Sequence, residues 1–346
     1  MSRRAWLAFA SVSVLWGIPY LFIKYAEQGG LTPTTIAWSR VTLAAIILLV
    51  LAWRSGTLPA LRGRWPWLWA YAFFEIVIPF PMIAVGEQHV ASSLTAIIIA
   101  SVPLIGAVLA LRFDPSEKPT AMRAAGLATG FVGVIALVGI DVAGSTEELL
   151  GTGAILIAAA GYAIGPMILK QRLRGLNPAA LMGAALLVAA VLLTPLAALD
   201  LPARFPTAGG VGSIVVLGLL CTALAFVVMT VLIREAGTGR AMVITYVNPV
   251  IALALGVALL GEQPGGGAIL GLVLILAGSW LSTSGRLPGR RTGARAGAGA
   301  GAGSVPPESS AVRAAAFELS PVSPRARTAG EGETEASVAR GGNAQP

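Results

Sequence analysis

Apolar runs of about twenty residues alternate along this chain with short polar joints, a pattern that counts membrane spans rather than soluble cores. Ten runs can be read, at roughly 5–23, 34–53, 67–86, 90–111, 120–140, 150–169, 178–199, 210–233, 240–260 and 266–284. At about 1.5 Å per residue, each is long enough to cross about 30 Å of hydrocarbon as a helix. The runs are continuously apolar and do not alternate, which predicts helices and not the strands of a membrane barrel. The opening Ser2-Arg3-Arg4 resembles the start of a secretory leader. Because nine further runs follow, the first is read as an uncleaved span.

Polar and small residues punctuate these runs twice in the same way. Val102-Pro103, Glu117, Gly126 and Gly133 recur as Val247-Asn248-Pro249, Gly261-Glu262, Gly271 and Gly278. From Pro to Glu the spacing is 14 residues in the early copy and 13 in the late one; from Glu to Gly it is 9 in both, and from Gly to Gly 7 in both. Trp16 precedes Lys24 as Tyr162 precedes Lys170, and Pro33 and Pro178 each open the second span of a half. A duplicated unit explains this agreement. Five spans per half is odd, so the second half must enter the membrane from the opposite side. The expected fold is therefore an all-α integral membrane protein of ten transmembrane helices in two inverted five-helix repeats. The first covers residues 1–140 and the second 150–284, joined by an external linker at 141–149 and followed by a tail at 285–346.

Composition agrees: the chain is 56% hydrophobic and 12% charged with a mean hydropathy of +0.80, against about 25% charged residues in soluble domains. The net charge of +8 is spread through short joints without an aromatic or helical binding pattern, so nucleic acid is not the expected partner. It reads as topology. With the N-terminus in the cytoplasm, 13 Lys and Arg before the tail face that side, against Lys24 and Arg204 outside. By the positive-inside rule both termini are cytoplasmic. The tail turns abruptly to Gly, Ala, Pro, Ser and Arg and is expected to be a solvated, disordered extension. Cys221 is the single cysteine and His89 the single histidine, which excludes an intrachain disulfide and predicts neither a metal site nor a cofactor. Cys221 sits in an apolar run as a small hydrophobe.

Leu15-Trp16-Gly17, Ser101-Val102-Pro103, Tyr246-Val247-Asn248-Pro249, Gly261-Glu262 and the glycine-rich fifth and tenth runs together resemble the EamA-type family of the drug/metabolite transporter superfamily. The resemblance covers about residues 5–284. It implies two inverted repeats, alternating access, and export or exchange of small metabolites or drugs across the cell membrane. One stretch departs from it: Asp114-Pro115-Ser116-Glu117 stands where the second copy has Gly261-Glu262, which argues against a common loop role for the two glutamates.

Inverted-repeat transporters hold substrate near the midplane, beside helices interrupted at matched positions. Pro103 and Pro249 are a matched pair expected to kink their helices. Gly126, Gly130 and Gly133, with Gly267, Gly271 and Gly278, are expected to bring helix backbones together. Ionisable side chains within spans are functional candidates by default, and here they are Arg40 in span two and Glu75 in span three. Paired, the two would orient substrate; unpaired, Glu75 becomes a candidate proton carrier, and Arg40 alone would snorkel to the outer interface. Seven residues after Pro33 lies Arg40, but seven after Pro178 lies Ala185; 28 before Pro103 lies Glu75, but 28 before Pro249 lies Cys221. The charges have no repeat partners, so the common frame does not demand them. Trp16, Tyr20, Tyr162, Tyr246 and Asn248 are further candidates to line the pathway. Glu87, Gln88 and His89 form a polar cluster at the outer end of span three, with His89 expected in solvent and Glu87 able to shape the entrance.

The expectation is thus a secondary transporter carrying a small molecule outward, with the bilayer as its solvent and Glu75 as the candidate coupling group. The alternatives are a membrane scaffold or regulatory protein without transport, and an intramembrane enzyme. The enzyme lacks a nucleophile paired with a base. ATP is not indicated either, since no Gly-x-x-x-x-Gly-Lys-Ser/Thr is present.

Overall fold

The structure is a computed structural model of the full chain that describes residues 1–113, 120–142, 145–237, 241 and 243–284. Glu117, Lys118, Arg240 and the tail lie outside the described residues, so the early Pro-to-Glu joint and the tail expectation are not addressed by it.

Among the described residues the regular structure is all helical. Eight helical segments are long and apolar enough to cross a membrane, and two shorter apolar helices complete the set. Span one comprises Arg3–Gly17 and Pro19–Gln28, and span two Pro33–Arg54. Span three runs through Trp65–Ala72, Phe73–Val77 and Pro79–His89, and span four through Ser92–Ile99 and Val102–Phe113. Span five is Ala121–Leu137 with a last wide turn at Val138–Val142, span six Thr146–Arg172 and span seven Pro178–Leu199. Span eight joins Ala208–Val215, Val216–Leu224 and Ala225–Ala236. Spans nine and ten are Ile244–Leu260 and Gly266–Ser284. Span nine starts later than its apolar run implied and has only 17 residues, about 26 Å at 1.5 Å per residue.

Local sequence explains where these helices begin. Ser2, Thr32, Thr120, Ser145, Asn177 and Thr207 each accept a hydrogen bond from the first turn of the helix that follows, occupying donors that would otherwise be orphaned. Pro33 and Pro178 follow their caps directly, where a missing N–H removes nothing.

Packing pairs span five with ten, two with seven, four with nine, three with six, and one with eight. The first of these contacts is made by glycine. A Cβ on Gly126 would lie 2.9 Å from the Gly278 carbonyl oxygen, and one on Gly133 would lie 3.0 Å from that of Gly271. Gly278 in turn abuts the backbone of Gly126 and Gly130, and Gly271 faces Leu137. Gly130 also receives Leu104 of span four, and Gly267 is buried on the first turn of span ten. Neighbouring backbones come this close only where side chains are absent.

Outward-facing surfaces of the bundle carry large apolar side chains, among them Ile46 and Ile47, Val132 and Ile135, and Ile269 and Val273. Such a continuous apolar exterior is stable against lipid and not against water. Exposed Trp6, Trp53, Trp65 and Trp67 collect at the end of the bundle where span one begins and span two ends, as in an interfacial aromatic belt.

Candidate functional site

Besides the wide turn that ends span five, one occurs within span three and one within span eight. In span three Pro79 has no N–H to return to the carbonyl of Glu75, and its ring would press on that carbonyl in a regular helix. The chain inserts a π turn at Phe73–Val77, where the Ile78 N–H reaches back to the Phe73 carbonyl at 3.0 Å. Glu75 thus sits on a turn whose backbone is already loosened, and such turns favour functional positions. In span eight the π turn covers Val216–Leu224. There Thr222 Oγ1 donates to the Leu217 carbonyl at 2.8 Å, so its hydrogen is committed and its lone pairs face inward.

Arg40 meets that hydroxyl. Its Nε donates to Thr222 Oγ1 at 2.9 Å, and its guanidinium carbon lies 4.2 Å from the centre of the Phe80 ring, a cation–π contact. Only 9% of Arg40 is exposed. The side chain turns into the bundle towards span eight, so the snorkelling alternative is not what the fold shows. Nor does the ion pair form: Arg40 and Glu75 are not within salt-bridge distance of each other. Tyr162 of span six lies within electrostatic reach of both. Glu75 leans instead on span six at Gly165, where any Cβ would collide with its carboxylate, and its Oε2 is sealed without a hydrogen-bond partner.

The other candidates divide between lining and packing. Tyr20 and Tyr162 border the same buried cluster as Cys221, and Tyr162 also packs on the cluster that holds Phe80. Trp16 stacks edge to face on Phe226 at 5.6 Å, within the apolar seam of spans one, eight and nine. Asn248, with its amide nitrogen turned to the two carbonyls around it, donates to Ser13 at 3.2 Å and Ile244 at 3.0 Å. It ties span nine to span one. Tyr246 is half-buried on the first turn of span nine. The two prolines differ: span four is broken at Ala100–Ser101 just before Pro103, whereas the helix of span nine continues through Pro249.

The polar cluster at the C-terminal end of span three is partly internal. Gln88 and His89 are exposed, but Glu87 is fully buried. Its Oε2 accepts from Ser92 Oγ at 3.2 Å, and its backbone carbonyl accepts from Lys24 Nζ. Glu262, just past the left-handed Gly261 that ends span nine, accepts from the backbone N–H of Ser92 at 2.8 Å and of Ser93 at 3.0 Å. A residue of the second half therefore caps the first helix of span four, where a carboxylate opposes the positive helix end. A cavity of about 430 Å³ beside it is lined by His89, Ser93, Glu148 and Glu262 among others, away from Arg40 and Glu75.

Sequence reasoning located Arg40 and Glu75 but missed Thr222, Phe80 and Gly165, and it missed the break in span one at Ile18. Pro79 and the Ile18-Pro19 step were the available signals for the wide turn and that break. No local signal announced Thr222, whose π turn contains no proline.

An apolar-surfaced helical bundle with unpaired charged groups in its interior defines a multi-pass membrane protein. The profile of the EamA-like transporter family matches residues 3–139 and again 149–284, and the chain belongs to that family. It is 24% identical over 285 residues to an uncharacterised transporter of Archaeoglobus fulgidus, covering 80% of this chain and 98% of that one. It is 28% identical over 289 residues to the uncharacterised inner membrane transporter YedA of Escherichia coli K12, covering 79% and 91%. A crystal structure of a protein 20% identical in sequence matches with a TM-score of 0.59, over 81% of this chain and 97% of that one, and bears on the fold alone. Family and relatives point to membrane transport.

Proposed function

We propose that the protein is a secondary transporter that moves a small polar or amphipathic metabolite outward across the cytoplasmic membrane by alternating access of two inverted five-helix halves. The observation that carries this reading is that Arg40 of span two and Glu75 of span three both turn into the bundle with no ion-pair partner among the described residues, Arg40 against the π turn of span eight and Glu75 on the π turn of span three. Ionisable groups kept in a bilayer interior without an ion-pair partner cost several kcal/mol, about 2.5 to 3.5 on the lowest scales, and mark pathways.

The packing supports the inverted arrangement. Exchanging first and second halves sends the contacts of five with ten, two with seven and four with nine onto themselves, and that of three with six onto eight with one. The two separate family matches support the division into halves. The distribution of Lys and Arg supports cytoplasmic termini, since loops rich in positive charge stay inside. Glu75 is the proposed coupling carboxylate: its sealed oxygen has no cation to hold it ionised, so proton binding and release can accompany the exchange of faces.

Counterflow in liposomes across a broad metabolite panel tests transport, with Glu75→Gln alongside. Flux is expected for a subset of compounds, and loss of its pH dependence in the variant. Absence of flux across the panel would favour the scaffold alternative, and full pH-dependent transport by Glu75→Gln would defeat proton coupling alone.

A further inference from the structure

Arg40 has more hydrogen-bonding capacity than the protein uses. Its guanidinium carries five N–H donors, and among the described residues the only protein acceptor it meets is Thr222 Oγ1, through Nε. Among those residues the two terminal nitrogens have none, and no carboxylate lies within ion-pair distance. Glu87 is within electrostatic reach, but it is held by Ser92 at the C-terminal end of span three. Removing one partner from a buried ion pair costs about 3 to 5 kcal/mol, because the remaining charge is uncompensated. A guanidinium does not escape that cost by losing its proton under ordinary conditions.

Its setting is that of a prepared site. Thr222 holds Nε and so fixes the plane of the fork, while the face of Phe80 covers one side. Such a clamp directs the terminal nitrogens as a pair. Two parallel N–H groups match the two oxygens of a carboxylate, which an ammonium point charge would not do as well. Tyr20, Tyr162 and Cys221 lie within electrostatic reach of Arg40 and share one buried cluster. They offer apolar and aromatic surface to the rest of a ligand, with hydroxyls at its edge.

We propose that Arg40 anchors the carboxylate of the transported molecule, so that the substrate class is small carboxylates with an apolar or aromatic body. This rests on the reading of the bundle interior as a substrate pathway. Thr222 acts as a positioning residue, since it touches the fork and not the ligand.

The test uses the full chain purified in detergent and reads ligand affinity by thermal stabilisation. The probes are 3-phenylpropionate, its primary amide, the matching amine and its α-amino derivative, with acetate and indole-3-acetate and their amides to vary the body. Carboxylates are expected to bind about tenfold more tightly than amides of the same skeleton, the scale of a charge-assisted pair. Arg40→Gln is expected to erase that preference, and Arg40→Lys, which keeps the charge without the fork, to reduce it severalfold; the second variant serves if the first does not fold. Equal affinity of carboxylates and amides for the unaltered chain overturns the site. Carboxylate binding without flux in liposomes would uphold the site and defeat the transport reading. Flux of amines or amides left unchanged by Arg40→Gln would do the reverse.

Discussion

Spans five and ten answer each other with two matched glycines each, whereas spans three and eight share a shape and differ in chemistry. Gly133 lies against Gly271, and Gly126 and Gly130 against Gly278. Each glycine is needed by the backbone of its own repeat partner's helix, so neither copy can change alone. Spans three and eight both carry a π turn, yet one presents Glu75 and the other Cys221 and Thr222. The first packs on spans six and seven, the second on spans two and one. Where repeat partners touch, close packing holds them alike; where they face the interior separately, each is free to take up its own task.

The sharpest way to break this comparison is at the glycine seam. Gly278→Leu drives a side chain into the backbone of span five and is expected to cost on the order of 3 kcal/mol, the upper range for overpacking. Loss of monodisperse protein and of thermal stability in detergent would register it; a variant as stable as the original would show that the seam can open. Next comes Gly165→Ala. It places a methyl where the Glu75 carboxylate now lies, with an expected loss of about 1 to 3 kcal/mol. Because the clash is specific, adding Glu75→Ala should restore part of that loss, a coupling of at least about 0.5 kcal/mol in a double-mutant cycle. Additive effects would mean that Gly165 serves packing and not Glu75.

Thr222→Val sharpens the other side of the comparison. It removes both the donor to the Leu217 carbonyl and the acceptor for Arg40, and should cost about 1 to 3 kcal/mol. A fall in carboxylate affinity with it would show that the π turn of span eight positions the fork. Glu262→Gln should weaken the cap on span four by about 0.5 to 2 kcal/mol, read as faster amide exchange around Ser92 and Ser93. The smallest effect belongs to Gly106→Ala, where a Cβ meets nothing within 4 Å. It is expected to be neutral or to stabilise by up to about 1 kcal/mol, which separates loss of a glycine from loss of a contact.

Much of the frame was legible in residue order. Apolar length marked the helices, because no other uncapped structure satisfies its backbone in hydrocarbon except a closed barrel. The matched glycine spacings predicted a packing face, and that face pairs spans five and ten. Pro33 and Pro178 lie where their helices start, since a proline ring is compatible with a first turn and little else in a helix. The paired prolines were less informative. Pro103 follows a break while Pro249 sits within a helix, because neighbouring spans decide how the freed backbone is accommodated.

By itself, then, the sequence determined that Arg40 and Glu75 lie within spans and that the common frame does not require them, since composition and the repeat ruler are properties of residue order. Only the tertiary structure decided what surrounds them. Arg40 takes its partner from span eight and Glu75 its seat from span six, through contacts between residues 182 positions apart in one case and on separate helices in the other. Side-chain direction on a helix depends on how that helix is rotated against its neighbours, and the apolar pattern of a buried span, nearly uniform around its circumference, carries little information about that rotation.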